Sequence, residues 1–246
     1  MSGHSKWANI KRQKGKTDAV RGKVFTKIGR QIALAVREGG SDPKQNGKLR
    51  DIIAEAKANN MPGDTITRSI KKAAGELGTV VYEEILYEGY APGGVAVIAE
   101  CVSDNRNRTA SDVRHAFDKC GGALGATNCV GYLFDRKGVL IIERKPGDDE
   151  DEMMLKAMDA GASDFDAQED MFEISTDPAD FSACREALEK QGLAFVSAER
   201  TLVPATYVDV ADAATLENVR KLLDMLEDMD DVMNVYHNGN LPDEEE

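Results

Sequence analysis

At 246 residues, with 41% hydrophobic and 30% charged residues and a net charge of −13, the chain can bury one large core or two to three small ones. No run of about 18 apolar residues occurs, which excludes a membrane-spanning helix, and Met1-Ser2-Gly3-His4-Ser5-Lys6-Trp7 lacks the apolar stretch of a secretory signal. Cys101, Cys120, Cys129 and Cys184 are widely spaced, with no C-x-x-C and no His at ligand spacing. That argues against a disulfide framework or a zinc site and for a cytoplasmic location.

The charge is divided along the chain. Residues 1–78 hold 17 Lys/Arg against 7 Asp/Glu, a balance of +10, and residues 79–246 hold 14 against 37, a balance of −23. Such asymmetry predicts a basic module that seeks a polyanion, carried on an acidic body. The plainer alternative is a set of solvated Lys-rich helix faces.

Residues 1–16 surround two sizeable apolar groups, Trp7 and Ile10, with Lys6, Lys11, Arg12, Lys14 and Lys16. So little apolar surface cannot offset the entropy of ordering the chain, and a mobile arm is expected. Val24, Ile28, Ile32 and Ala35 then fall on one helix face. Lys23, Lys27, Arg30 and Arg37 lie opposite, which predicts one side for a core and one for phosphates. Gly39-Gly40 ends that helix. A second helix is predicted from about Pro43 to Ala58, burying Leu49, Ile52, Ile53 and Ala56. A third follows Met61-Pro62-Gly63, with Ile66, Ile70 and Ala73 inward and Arg68, Lys71 and Lys72 outward. Three helices with short connections make a helical domain over residues 1–78.

After Thr79 the pattern turns to period two. Strands are predicted at 80–88 and 94–102, joined by Gly89-Tyr90-Ala91-Pro92-Gly93, and a helix starts near Thr109 with Asp112 as its capping-box partner. Residues 132–202 read strand (139–143), helix (150–160), strand near Phe165, strand (171–175), helix (179–191), strand (193–198). Asp177-Pro178 supplies an N-cap and a first-turn proline. That βαββαβ order predicts a ferredoxin-like unit. A strand at 207–210, a helix burying Leu216, Val219, Leu223 and Leu226, and a strand at 232–236 follow. The expected fold is α+β: the helical domain, a discontinuous α/β domain (79–131 and 203–246), and the ferredoxin-like domain (132–202) inserted in it.

The candidate nucleic-acid-binding set is Lys6, Trp7, Lys11, Arg12, Lys14, Lys16, Arg21, Lys23, Lys27 and Arg30. The cations can neutralise phosphates and release counterions, and Trp7 can stack on an unpaired base or serve as a hydrophobic staple on the helical domain. Arg106 and Arg108, just before a helix, form a candidate anion site; the alternative is a capped turn with solvated arginines. The glycine-rich segments 89–94 and 121–125 lack P-loop and dinucleotide patterns and read as turns. Asp148–Glu152 reads as helix capping rather than a metal site. Asp224, Glu227, Asp228, Asp230 and Asp231 read as a solvated face. No catalytic constellation, metal site or cofactor site is predicted.

Gly3-His4-Ser5-Lys6-Trp7-Ala8-Asn9-Ile10 and Arg21-Gly22-Lys23-Val24-Phe25-Thr26-Lys27 resemble the opening of the YebC/PmpR family of probable transcriptional regulators. The resemblance continues through Asn60-Met61-Pro62, Tyr87-Glu88-Gly89-Tyr90-Ala91-Pro92-Gly93-Gly94, Asp104-Asn105-Arg106-Asn107-Arg108-Thr109, Asp112–Phe117 and Leu133–Gly138. It covers essentially the full length. It implies a helical N-terminal domain and two α/β domains, one inserted in the other, in a cytoplasmic, non-enzymatic protein. Members are described as DNA-binding transcriptional regulators. Others, including mitochondrial relatives, are described as translation activators that help the ribosome through proline-rich stretches. The family's basic motif maps onto Lys6, Trp7, Lys11, Lys23 and Lys27. Arg12-Gln13-Lys14-Gly15-Lys16 departs from the family's usual His/Lys/Ala-containing stretch, and Cys129 stands where Ser or Gly is common.

The expected function is that of a nucleic-acid-binding regulator of gene expression. Two alternatives stand beside it: a ribosome-associated translation factor on ribosomal or transfer RNA, and a small-molecule-sensing or protein-docking role for the inserted domain. Expected partners are DNA or ribosomal RNA and the ribosome, with no membrane partner; the oligomeric state stays open between monomer and weak dimer.

Overall fold

The computed structural model describes residues 18–75 and 81–242, with side chains from position 22 onward. The fold is α+β and carries the three architectures expected: a helical N-terminal part, a discontinuous α/β part and a ferredoxin-like insert. They fall into two compact units, Tyr132–Tyr207 and the described residues before and after that segment. Among the described residues no helix is long and apolar enough to cross a membrane.

Three helices open the described chain: α1 (Asp18–Gly39), α2 (Gly47–Ala58) and α3 (Gly63–Ala73). Their apolar stripes meet around Ile28, Ile32, Ala35, Leu49, Ala56 and Ile66. Helix α2 begins four residues later than its periodicity predicts, because Asn46 and not Pro43 is its cap. The Asn46 side chain accepts from Leu49 N–H at 3.0 Å and donates to the Ala35 and Gly40 carbonyls at 2.7 and 2.9 Å. One buried amide thus starts α2 and closes α1.

The first strand, β1 (Glu83–Tyr90), starts and ends later than predicted, and Gly89 and Tyr90 belong to it rather than to the turn. It pairs antiparallel with β2 (Ala96–Ser103). Gly89 lies where the Ala123 carbonyl and the Phe117 ring approach too closely to leave room for a Cβ. Helix α4 (Arg106–Lys119) starts three residues before the predicted Thr109. Asn105 is in the extended region and accepts from Arg108 N–H at 3.1 Å, so it is the cap, and the Asp112 capping box does not form. The glycine-rich segment after α4 contributes a short strand, β3 (Ala123–Leu124), on the outer edge of β1.

The unit Tyr132–Tyr207 contains β4 (Phe134–Glu143), α5 (Glu150–Asp159), β5 (Asp164–Ala167), β6 (Met171–Thr176), α6 (Phe181–Lys190) and β7 (Ser197–Pro204). The sheet order β5-β6-β4-β7, all antiparallel, is that of a ferredoxin-like fold. Leu140, Ile142, Phe172 and Ile174 bury one face against Met153 and Ala157 of α5 and Phe181, Cys184 and Leu188 of α6. Each of the large side chains contributes about 1.5–3 kcal/mol. Asp149 caps α5 by accepting from the Asp151 and Glu152 amides, as the acidic run predicts. Two expectations fail here. Pro178 sits in the turn before α6, its carbonyl accepting from Arg200 Nε at 2.9 Å, and Asp180 is the capping position. The last strand runs 197–204 rather than 193–198, because Leu193 and Phe195 pack on the core from a connecting segment instead of pairing.

Past the insert come β8 (Val208–Asp209), α7 (Ala213–Glu227), β9 (Val232–His237) and β10 (Gly239–Asn240). Strand β9 pairs with β2, completing the sheet β3-β1-β2-β9. Helices α4 and α7 cover it through Val113, Phe117, Val219, Leu222 and Leu226 packed on Ile85, Val97, Ala99 and Cys101.

Candidate nucleic-acid interface

Of the predicted binding residues, Lys6, Trp7, Lys11, Arg12, Lys14, Lys16 and the side chain of Arg21 lie outside the described residues. Lys23, Lys27 and Arg30 are described, and the structure gives them intramolecular partners. Lys23 Nζ donates to the Asp228 carbonyl and carboxylate at 3.3 and 3.2 Å. Lys27 Nζ donates to the Glu227 carbonyl at 2.7 Å, and Arg30 donates to the Asp230 carbonyl and the Asp231 carboxylate. The spacing that puts the three cations on one face of α1 is as read from the sequence. What that face meets is the C-terminal end of α7, where bare carbonyls concentrate negative partial charge, and the turn that follows it. Burial pulls the Lys27 ammonium below the ordinary lysine value, opposed by the neighbouring Glu227. Arg37, on the same side of α1, donates to the Tyr82 carbonyl at 2.7 Å.

Asp231 is the centre of this arrangement and was missed in the sequence, where it belongs to an acidic run read as solvated. It is 7% exposed. Its carboxylate accepts from Arg30, from Ser103 Oγ at 3.1 Å, from Thr109 Oγ1 at 2.6 Å and from Arg108 Nη2 at 2.8 Å. Burial alone would raise its pKa. The hydrogen bonds from Thr109 and Arg108 and the charge of Arg30 outweigh burial and hold the carboxyl below the usual carboxylate range.

The two arginines of the candidate anion site therefore separate. Arg108 is committed to Asp231 and to Asp104, at 2.8 and 2.9 Å. Arg106 has no carboxylate partner among the described residues. It lies instead at the rim of a cleft of about 300 Å³, with Arg114 two turns further along α4.

That cleft runs between β1, α4 and the segment 124–127. Glu88, 3% exposed, organises its far wall. Its carboxylate accepts from the Asn128, Val130 and Gly131 amides at 2.9, 2.9 and 2.7 Å, and its carbonyl from Gly125 N–H at 2.8 Å. Gly125 sits so close to Cys129 that a Cβ would overlap the sulfur, so the thiol at 129 is accommodated by the absent side chain at 125. The sequence pattern reads 121–125 as turns and marks neither Glu88 nor Arg114 as a site residue. The i, i+4, i+8 spacing of Arg106, Ala110 and Arg114 was the available signal. The partners of the Glu88 carboxylate, 40 or more residues away, leave none.

Elsewhere on the helical part, Arg68, Lys71 and Lys72 of α3 are exposed, as their outward spacing predicts. Among the described residues no group of three or more His, Cys, Asp or Glu is placed to hold a metal ion. The four cysteines are free thiols, and burial pushes Cys101 up to about 12.

Comparison with known proteins gives matches along the whole chain. The family profile described as TACO1/YebC protein N-terminal domain matches residues 5–76, and that of the TACO1/YebC second and third domain matches residues 82–239. A probable transcriptional regulatory protein of Clostridium novyi is 60% identical over 244 residues, 99% of each chain. One of Acetivibrio thermocellus is 60% identical over 238 residues, 97% of this chain and 98% of its own. The crystal structure of a conserved hypothetical protein from Aquifex aeolicus superposes with a TM-score of 0.84 at 47% identity, covering 93% of this chain and 94% of that one. With two profiles spanning nearly every residue and the same architecture in a solved relative, the chain belongs to the TACO1/YebC family.

Proposed function

We propose that the protein is a non-enzymatic, nucleic-acid-binding regulator of gene expression that meets its polyanion through the basic N-terminal part. The observation that carries this reading is the +10 balance of residues 1–78 set against the −23 of the remainder. Such a molecule is attracted at one end and repelled at the other, which orients it on approach. The names of the relatives, probable transcriptional regulatory proteins, support the same reading.

Intramolecular contacts favour some of these cations over others. Lys23, Lys27 and Arg30 are occupied at the end of α7, so they reach a phosphate only if those contacts give way. The binding surface then consists of Lys6, Lys11, Arg12, Lys14, Lys16 and Arg21, with Trp7 as a stacking group and Arg68, Lys71 and Lys72 of α3 as further exposed charge.

With ~5–7 phosphate contacts on duplex DNA, log K falls with log salt at a slope of roughly −4.5 to −6. Replacing Lys6, Lys11, Arg12 and Lys14 with Ala flattens it by about 3–4 units. An unchanged slope removes the arm from the interface. Crosslinking followed by sequencing separates the two settings in which a regulator of this kind acts. Enrichment of promoter DNA places it at transcription; enrichment of ribosomal RNA, with cosedimentation that depends on residues 1–23, places it at translation.

A further inference from the structure

The body of the molecule carries far more acid than base, yet two arginines in it stand without an acidic partner in the same cleft. Arg106 and Arg114 are both exposed on α4 and pair with no carboxylate among the described residues. Ala110 lies between them and its short side chain keeps the floor open. Eight residues at 1.5 Å rise set the two positions about 12 Å apart along the helix, a spacing suited to an extended anion with charges along its length rather than a single compact one.

The opposite wall adds donors. The Ala126 and Thr127 amides and the Thr127 hydroxyl, all in the exposed segment bordering the cleft, donate to no other described group. The one carboxylate in the lining, Glu88, has its oxygens turned to three backbone amides, so its charge is spent on holding the wall. Guanidinium groups on one side and free backbone amides on the other are the donor set that recognises phosphate oxygens.

We infer that this cleft is a second nucleic-acid contact, holding a segment of phosphodiester backbone between Arg106 and Arg114 on one side and the segment 124–127 on the other. It rests on the reading of the protein as a nucleic-acid binder and adds a site on the acidic body, remote in sequence from the basic arm. Arg108, which the sequence pairs with Arg106, is not part of it.

The test uses the full chain with a 12-nucleotide single-stranded RNA, the same sequence as DNA, and the DNA duplex. The double variant Arg106→Ala, Arg114→Ala lowers the salt slope by about 1.8 for the duplex or about 1.4 for a single strand, whichever is the physiological form. The double Arg→Lys variant keeps the slope, because it keeps the charge. In the wild-type protein, bound nucleic acid protects Arg106 and Arg114 from phenylglyoxal, read by mass spectrometry, so the result does not depend on any variant folding. Wild-type binding with unchanged slope in the Ala variant, or with no protection of the two arginines, overturns the cleft and leaves the arm standing. Failure of the wild-type protein to bind any of the three probes overturns both. An acidic peptide that binds at the cleft in place of all three also overturns the assignment.

Discussion

At the C-terminal end of α7 and in the turn after it, Lys23, Lys27 and Arg30 each find an oxygen of the chain itself, whereas Arg106 and Arg114, on α4, find none among the described residues. Both regions set basic side chains beside an acid-rich body, and in the sequence the first looks the more promising. Its cations recur on one helix face, with almost no acid nearby in the chain. The acid that meets them is supplied from about 200 residues away. Basic charge in a sequence therefore marks a requirement for an anion, and only the fold shows whether that anion is internal. Where every cation is answered, the charge holds elements together; where two are left over in a cleft, it is available to a ligand.

The comparison breaks most visibly at Asp231. Asp231→Ala leaves Arg30, Arg108, Ser103 and Thr109 facing a void, and the expected loss is about 3–5 kcal/mol in urea unfolding. The same carboxylate gives a pH signature. Its folded pKa is held below the unfolded value of about 3.9. Its contribution is therefore complete above that value and is lost as pH falls through the folded one. Wild-type stability measured from pH 6 to pH 3 should drop more steeply than that of Asp231→Asn at the acid end. Equal slopes would remove Asp231 as the source.

Glu88→Ala should come next, at about 2–3 kcal/mol, because it leaves three amides without an acceptor. It should also abolish binding at the cleft if the 124–127 wall loosens. Lys27→Ala should cost about 1 kcal/mol, a part-buried cation at a helix end, and should leave the salt slope of nucleic-acid binding unchanged. A flattened slope would return α1 to the interface. At the small end, Arg106→Ala with Arg114→Ala should change stability by less than about 0.5 kcal/mol, as for exposed side chains with no partner. A larger loss would place these arginines in the same class as the cations of α1.

Much of the fold was legible in the sequence because it rests on local periodicity. The face of Ile28, Ile32 and Ala35, the βαββαβ order and the acidic cap at Asp149 are each properties of a short window. Errors fell where a long-range partner decided the outcome. Thr109 looks like a cap, but its hydroxyl is drawn to Asp231, 122 residues away, and Asn105 takes the capping role. Leu193 and Phe195 look like strand residues, but β4 is already paired by 197–204. For the binding region, the charge imbalance was legible, the partners of Lys23, Lys27 and Arg30 were not, and the cleft required bringing residues 87–88, 106–114 and 124–127 together.

The seating of α1 on the end of α7 also has a consequence for how the protein is made. Lys23 and Asp228 are 205 residues apart, so at ~5–20 residues per second α1 is synthesised about 10–40 s before its acidic seat. Strand β9, which completes the sheet beside β2, is equally late. Until those residues are made, the basic face of α1 in the nascent polypeptide stands without its acidic seat.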